Sequence, residues 1–134
     1  MIRALLAALL LSVGWATGAA ACPQADGAGA RVEGEKGAIA LRLEPEVPRV
    51  DSFFAIDVTV CDTSGAAARL RRVDAVMPGH GHGMNYRPEI AERGDGRYRV
   101  EGMFFHMQGG WLLRFDVETP EGGERLTYGI DAGF

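Results

Sequence analysis

A chain of 134 residues, 47% of them hydrophobic, is enough for one compact domain. With 14 Lys and Arg against 18 Asp and Glu, the net charge is −4. No basic stripe interrupts the acidic balance, so nucleic acid and an anionic membrane surface are both left without an electrostatic footprint.

The first 21 residues read as a secretory signal peptide. Arg3 supplies the basic start, Ala4 to Val13 an apolar run too short to span a bilayer comfortably, and Ala19-Ala20-Ala21 the small residues of a cleavage position. The expected location is therefore periplasmic or secreted, with no membrane span once the leader is gone. Losing Arg3 leaves 13 basic against 18 acidic residues, a net charge of −5. Cys22 then has two open fates. One is lipoprotein anchoring, where a Leu is usual three residues earlier and this chain has Ala19. The other is a disulfide with Cys61, which an even cysteine count in an oxidising compartment favours.

Residues 22–36, rich in Gly, Ala and charge, read as a flexible N-terminal arm. From residue 37 to residue 134 the hydrophobic pattern has period two. Ile39, Leu41 and Leu43 form the first alternating set, followed by Phe54, Ile56, Val58 and Val60, then Val73, Ala75 and Met77. A strand over Tyr86–Ala91 is implied by the hairpin signal Asp95-Gly96 that follows it. Tyr98, Val100, Gly102 and Phe104 alternate next, then Leu113, Phe115 and Val117, and finally Leu126, Tyr128 and Ile130. No stretch has helical amphipathicity. The expected fold is all-β: an immunoglobulin-like antiparallel β-sandwich of about seven strands.

The chemistry is concentrated between positions 77 and 107. All three histidines, His80, His82 and His106, lie there, as do all four methionines beyond Met1: Met77, Met84, Met103 and Met107. One half of the set is Met77-Pro78-Gly79-His80-Gly81-His82-Gly83-Met84; the other is Met103-Phe104-Phe105-His106-Met107. Consecutive antiparallel strands bring both halves to one pole of the sandwich and put Cys61 at the other. Imidazole suits copper and zinc, whereas thioether is a soft ligand that suits Cu(I) and is poor for zinc, calcium or magnesium. Neither segment contains a cysteine or a carboxylate. The expected cargo is therefore copper, as Cu(I), Cu(II) or both, held by His80, His82, Met84 and either Met107 or His106. Strict strand alternation leaves that last choice open, because a bulge at Gly102 would reverse it. Met77, Met103 and Trp111 are read as core residues or as groups bordering the ligands.

Met77 to Met84, then Gly96-Arg97-Tyr98, then Phe105-His106-Met107 with Gly110-Trp111, resemble the YtkA-like domain family and, more loosely, FixH-like proteins. The resemblance covers roughly residues 38–130. It implies an exported or membrane-tethered immunoglobulin-like sandwich associated with copper handling, efflux adaptors and oxidase assembly. A copper-accepting or efflux membrane protein is the partner it implies.

The sequence points away from an enzyme. After the leader only Ser52 and Ser64 are available as serine nucleophiles, and neither is near a histidine in sequence. There is no phosphate-binding Gly loop with Lys and no His-Glu-x-x-His helix. The expected function is a periplasmic copper-binding protein acting as chaperone, buffer or delivery factor. The alternative is a metal-independent interaction module of an efflux or membrane complex.

Overall fold

A computed structural model of the chain describes residues 29–134. The expected leader, Cys22 and the first part of the expected arm lie outside the described residues. Among those described there is no α-helix, and none of the structure is long and apolar enough as a helix to cross a membrane.

Nine strands follow in chain order: β1 (Ala30–Glu33), β2 (Gly37–Glu44), β3 (Phe53–Asp62), β4 (Arg69–Met77), β5 (His82–Gly83), β6 (Glu89–Gly94), β7 (Arg97–Phe104), β8 (Gly109–Thr119) and β9 (Gly122–Ala132). They form two antiparallel sheets, ordered β1-β2-β3-β7-β6 and β5-β4-β8-β9. Within them, β2-β3-β7-β6 and β4-β8-β9 match the four-plus-three strand division of an immunoglobulin constant-type sandwich. The expected fold class is therefore observed, with two strands more than the hydrophobic pattern announces. One is β1, which lies inside the expected arm and is held by pairing with β2 from Ala30↔Leu41 to Glu33↔Ala38. The other is β5, two residues of the His loop itself.

The core lies between the sheets. Ile39, Ile56, Val58, Val60 and Val100 from the first face Val73, Ala75, Leu113, Phe115 and Val117 from the second, all fully or nearly fully buried. Each of the larger side chains contributes about 1.5–3 kcal/mol relative to an exposed one. Parity along β7 departs from simple alternation. The β3–β7 register slips between Phe54↔Met103 and Ile56↔Val100, and Gly102 there has φ +83°. This is a bulge that adds one residue to β7. It turns Met103 and Phe105 inward, both 0% exposed, and moves Phe104, expected on the core face, to the outer side. The expected strand before Asp95-Gly96 starts later, at Glu89, directly after Pro88. Asp95 (φ 54°) and Gly96 (φ 73°) make the tight turn that the sequence announces.

Candidate metal centre

Met77 ends β4, and the chain reverses over Pro78-Gly79-His80-Gly81 into β5. The N–H groups of His80 and Gly81 both donate to the Met77 carbonyl, at 3.1 and 3.0 Å. Gly81 takes φ +69°, a left-handed conformation that glycine adopts without steric cost. Gly83 is needed for closeness, since a Cβ there would come within 3.1 Å of the Ala75 carbonyl oxygen. Met84 N–H donates to that same oxygen at 3.1 Å and closes the hairpin. Met77 and His82 are direct cross-strand partners, so their side chains leave the same face. Met77 turns into the core there (1% exposed), whereas His82, on the same side of the sheet but at the hairpin tip, stays exposed.

The second half arrives where β7 crosses to β8. Phe105 stacks on Trp111 (centroids 4.7 Å apart, planes 21° apart) and packs against Phe54 at 4.7 Å. The Trp111 indole N–H donates to the Met107 carbonyl at 3.0 Å, which ties the connection down on both sides of His106. His106 then stands 5.4 Å from Trp111 and 5.2 Å from His82, ring centre to ring centre. His82 is 5.8 Å from His80 and 6.3 Å from Trp111. Three imidazoles from two distant segments thus line up at one pole of the sandwich. Cys61 is at the other end of β3 from Phe53, eight residue steps or roughly 26 Å away at strand rise.

The remaining members of the expected set are distributed differently. Met77 and Met103 are core side chains, and the Met77 methyl would lie 3.2 Å from a Cβ placed on Gly109. Met84 and Met107 are half-buried against the core cluster and flank the imidazoles in sequence. Trp111 is both a core residue and a wall of the imidazole row.

The imidazole row fits a borderline metal ion in two respects. Two imidazoles sharing one ion, each bonded at about 2.0–2.1 Å, have ring centres roughly 5–6 Å apart, the spacing of both histidine pairs here. His106 Nδ1 is moreover buried with no hydrogen-bond partner. An orphaned buried nitrogen costs about 1–3 kcal/mol, and a bound ion or an ordered water can relieve that cost. Side-chain rotation is still required. Among the described residues, no three His, Cys, Asp or Glu side chains already form a group set for an ion. His80 and His82 are on an exposed hairpin tip, where such rotation meets little resistance.

Sequence reasoning missed an aromatic cluster at this pole. Phe53, Tyr86 and Phe104 form a trio on the outer side, with ring centres 4.8–5.2 Å apart. The signal was present in two Phe-Phe doublets, 53–54 and 104–105. Adjacent strand residues face opposite ways, so each doublet must present one ring outward. Comparison with protein-family models, curated proteins and solved structures finds no match to this chain.

Proposed function

We propose that the chain is an exported copper-binding protein of the YtkA-like type, which takes copper as cargo for buffering or delivery. What supports this most is the row His80–His82–His106 at one pole, with the His106 Nδ1 buried and unpartnered. The three imidazoles would hold the ion, and Met84 or Met107 beside them would add a thioether that favours Cu(I). The chain itself contributes orientation. Trp111 and Phe105 fix His106, and the Met77–Gly81 turn presents His80 and His82 to it.

The experiment is a copper titration of the metal-free mature protein against a competing chelator. One copper per chain is expected, with His80→Ala plus His82→Ala removing most of the affinity. Trp111 is the one tryptophan left once Trp15 goes with the leader, so Cu(II) should quench its fluorescence in step with binding. Binding no tighter than micromolar would reject copper as the cargo, and tight binding with quenching unaffected by the double substitution would reject this imidazole row as its site. The metal-independent interaction module would then be the remaining reading. Export and a Cys22–Cys61 disulfide belong to the same proposal. The mature chain purified without reductant should weigh two hydrogens less than its reduced form.

A further inference from the structure

The two long sides of the sandwich are unlike. On one, the Glu124 carboxylate of β9 accepts the backbone N–H groups of Glu35, Lys36 and Gly37 at 2.7–3.1 Å and ties the sheets together at the β1–β2 turn. On the other, β5 pairs only with Val76 and Met77, so among the described residues no strand pairs with the outer edge of β4 over Arg69–Ala75. A cleft of about 700 Å³ opens there, between β4 and the Met84–Pro88 segment that carries the chain across to β6. The Ala75 carbonyl faces this side, since it accepts the Met84 N–H. By the two-residue alternation of a strand, the N–H and C=O of Val73 face it too. An uncovered edge of this kind is a template for another strand.

The walls say what kind of strand. Arg71, Arg72, Arg87 and Arg114 line the cleft against a single acidic residue, Asp74, in a chain whose net charge is −4. Arg71 is paired with Glu118, and Arg72 and Arg114 share Asp74. Arg87 pairs with no carboxylate among the described residues. Tyr86 belongs both to the cleft and to the aromatic trio, where Phe53 is 59% and Tyr86 47% exposed. Arginine and exposed aromatic rings together are the composition of a protein-binding surface.

We propose that this side of the sandwich receives an acidic, extended segment of a partner protein, added to the free edge of β4. Its backbone pairs with Val73 and its neighbours, its carboxylates meet Arg87 and the outward donors of Arg71 and Arg72, and Tyr86 closes one end. Met84 lines the same cleft, so a partner seated here lies beside the imidazole pole. The docking does not depend on copper.

The test uses the metal-free protein in chelator, with a fluorescently labelled heptapeptide of alternating Glu and Val as probe and the Lys/Val peptide as control. The Glu peptide should bind and weaken steeply with salt, with amide shift changes centred on Arg71–Ala75 and Asn85–Arg87. Arg87→Glu should weaken it by about tenfold at unchanged Tm, because charge across a docking surface governs encounter and Arg87 has no carboxylate partner among the described residues. Equal affinity for the Lys peptide, shift changes elsewhere, or indifference to Arg87→Glu would overturn the proposal. Failure here leaves the copper titration unaffected, and the reverse also holds.

Discussion

Gly81 decides how the two hairpin histidines are presented. Its φ of +69° costs a side-chain-bearing residue about 1–2 kcal/mol. Gly81→Ala should therefore weaken copper binding several-fold while costing the fold no more than about 1–2 kcal/mol, since the strain falls on the His80–His82 tip and leaves the core intact. Parallel titrations and melts measure the two effects. Gly109 is constrained twice, by φ +125° and by the Met77 methyl 3.2 Å from where its Cβ would be. The Phe-Phe doublets give a paired test at the same scale. Phe105→Ala should cost about 3–5 kcal/mol, because the ring is fully buried between Phe54 and Trp111. Phe53→Ala should cost only about 0.5–1.5 kcal/mol, because that ring is mostly in water and keeps just its contacts with Tyr86 and Phe104. Chemical denaturation of both variants checks the difference. The doublets were legible as one ring in and one out. Which ring was which in β7 was not, because the bulge at Gly102 is a property of the β3–β7 register.

Between elements, the Glu124 tie joins β9 to the turn before β2. Burial pushes its carboxyl up, but the three backbone N–H bonds outweigh that and hold it below the usual glutamate value. Glu124→Ala should cost about 1–2 kcal/mol, a drop in Tm of several degrees for a domain of this size. Gly34 is part of the same device, since a Cβ there would come within 2.5 Å of the Glu124 carboxylate. The β4–β5 hairpin is the element the sequence concealed most. Two residues of strand carry no detectable period, yet that pairing places His82 opposite Met77, on the side of the sheet where His106 and Trp111 stand. The β7–β8 connection was equally silent about its tether, the Trp111 hydrogen bond to the Met107 carbonyl.

Over the whole molecule, acid should destabilise the fold by a definite route. Hydrogen bonding to Arg125 holds Asp116 below its ordinary value, with burial opposing. Burial pushes Asp74 up, but its paired bonds to Arg114 at 2.6 and 2.8 Å prevail and leave it lowered. With Glu124 also lowered, all three carboxylates remain ionised in the folded state at a pH where the unfolded chain already binds protons. Their stabilisation is complete above the unfolded carboxylate range, near pH 4 to 5, and is lost as pH falls through the folded values. Melting curves from pH 7 down to pH 3 should show Tm steady above about pH 5 and falling below it. Replacing Asp74 with Asn should flatten part of that fall.

Period-two hydrophobicity and turn residues determined, from sequence alone, an all-β sandwich with both histidine segments at one pole and Cys61 at the other. Alternation is a local property, and consecutive antiparallel strands leave little choice of which ends meet. Only the tertiary structure decided that Met77 and Met103 are core, that His106 joins the row while Met107 turns its carbonyl to Trp111, and that no strand among the described residues covers the β4 edge beside four arginines. Those outcomes depend on a bulge, a two-residue strand and the pairing of sheet edges. Each is fixed by contacts between residues far apart in the chain, where no local pattern reaches.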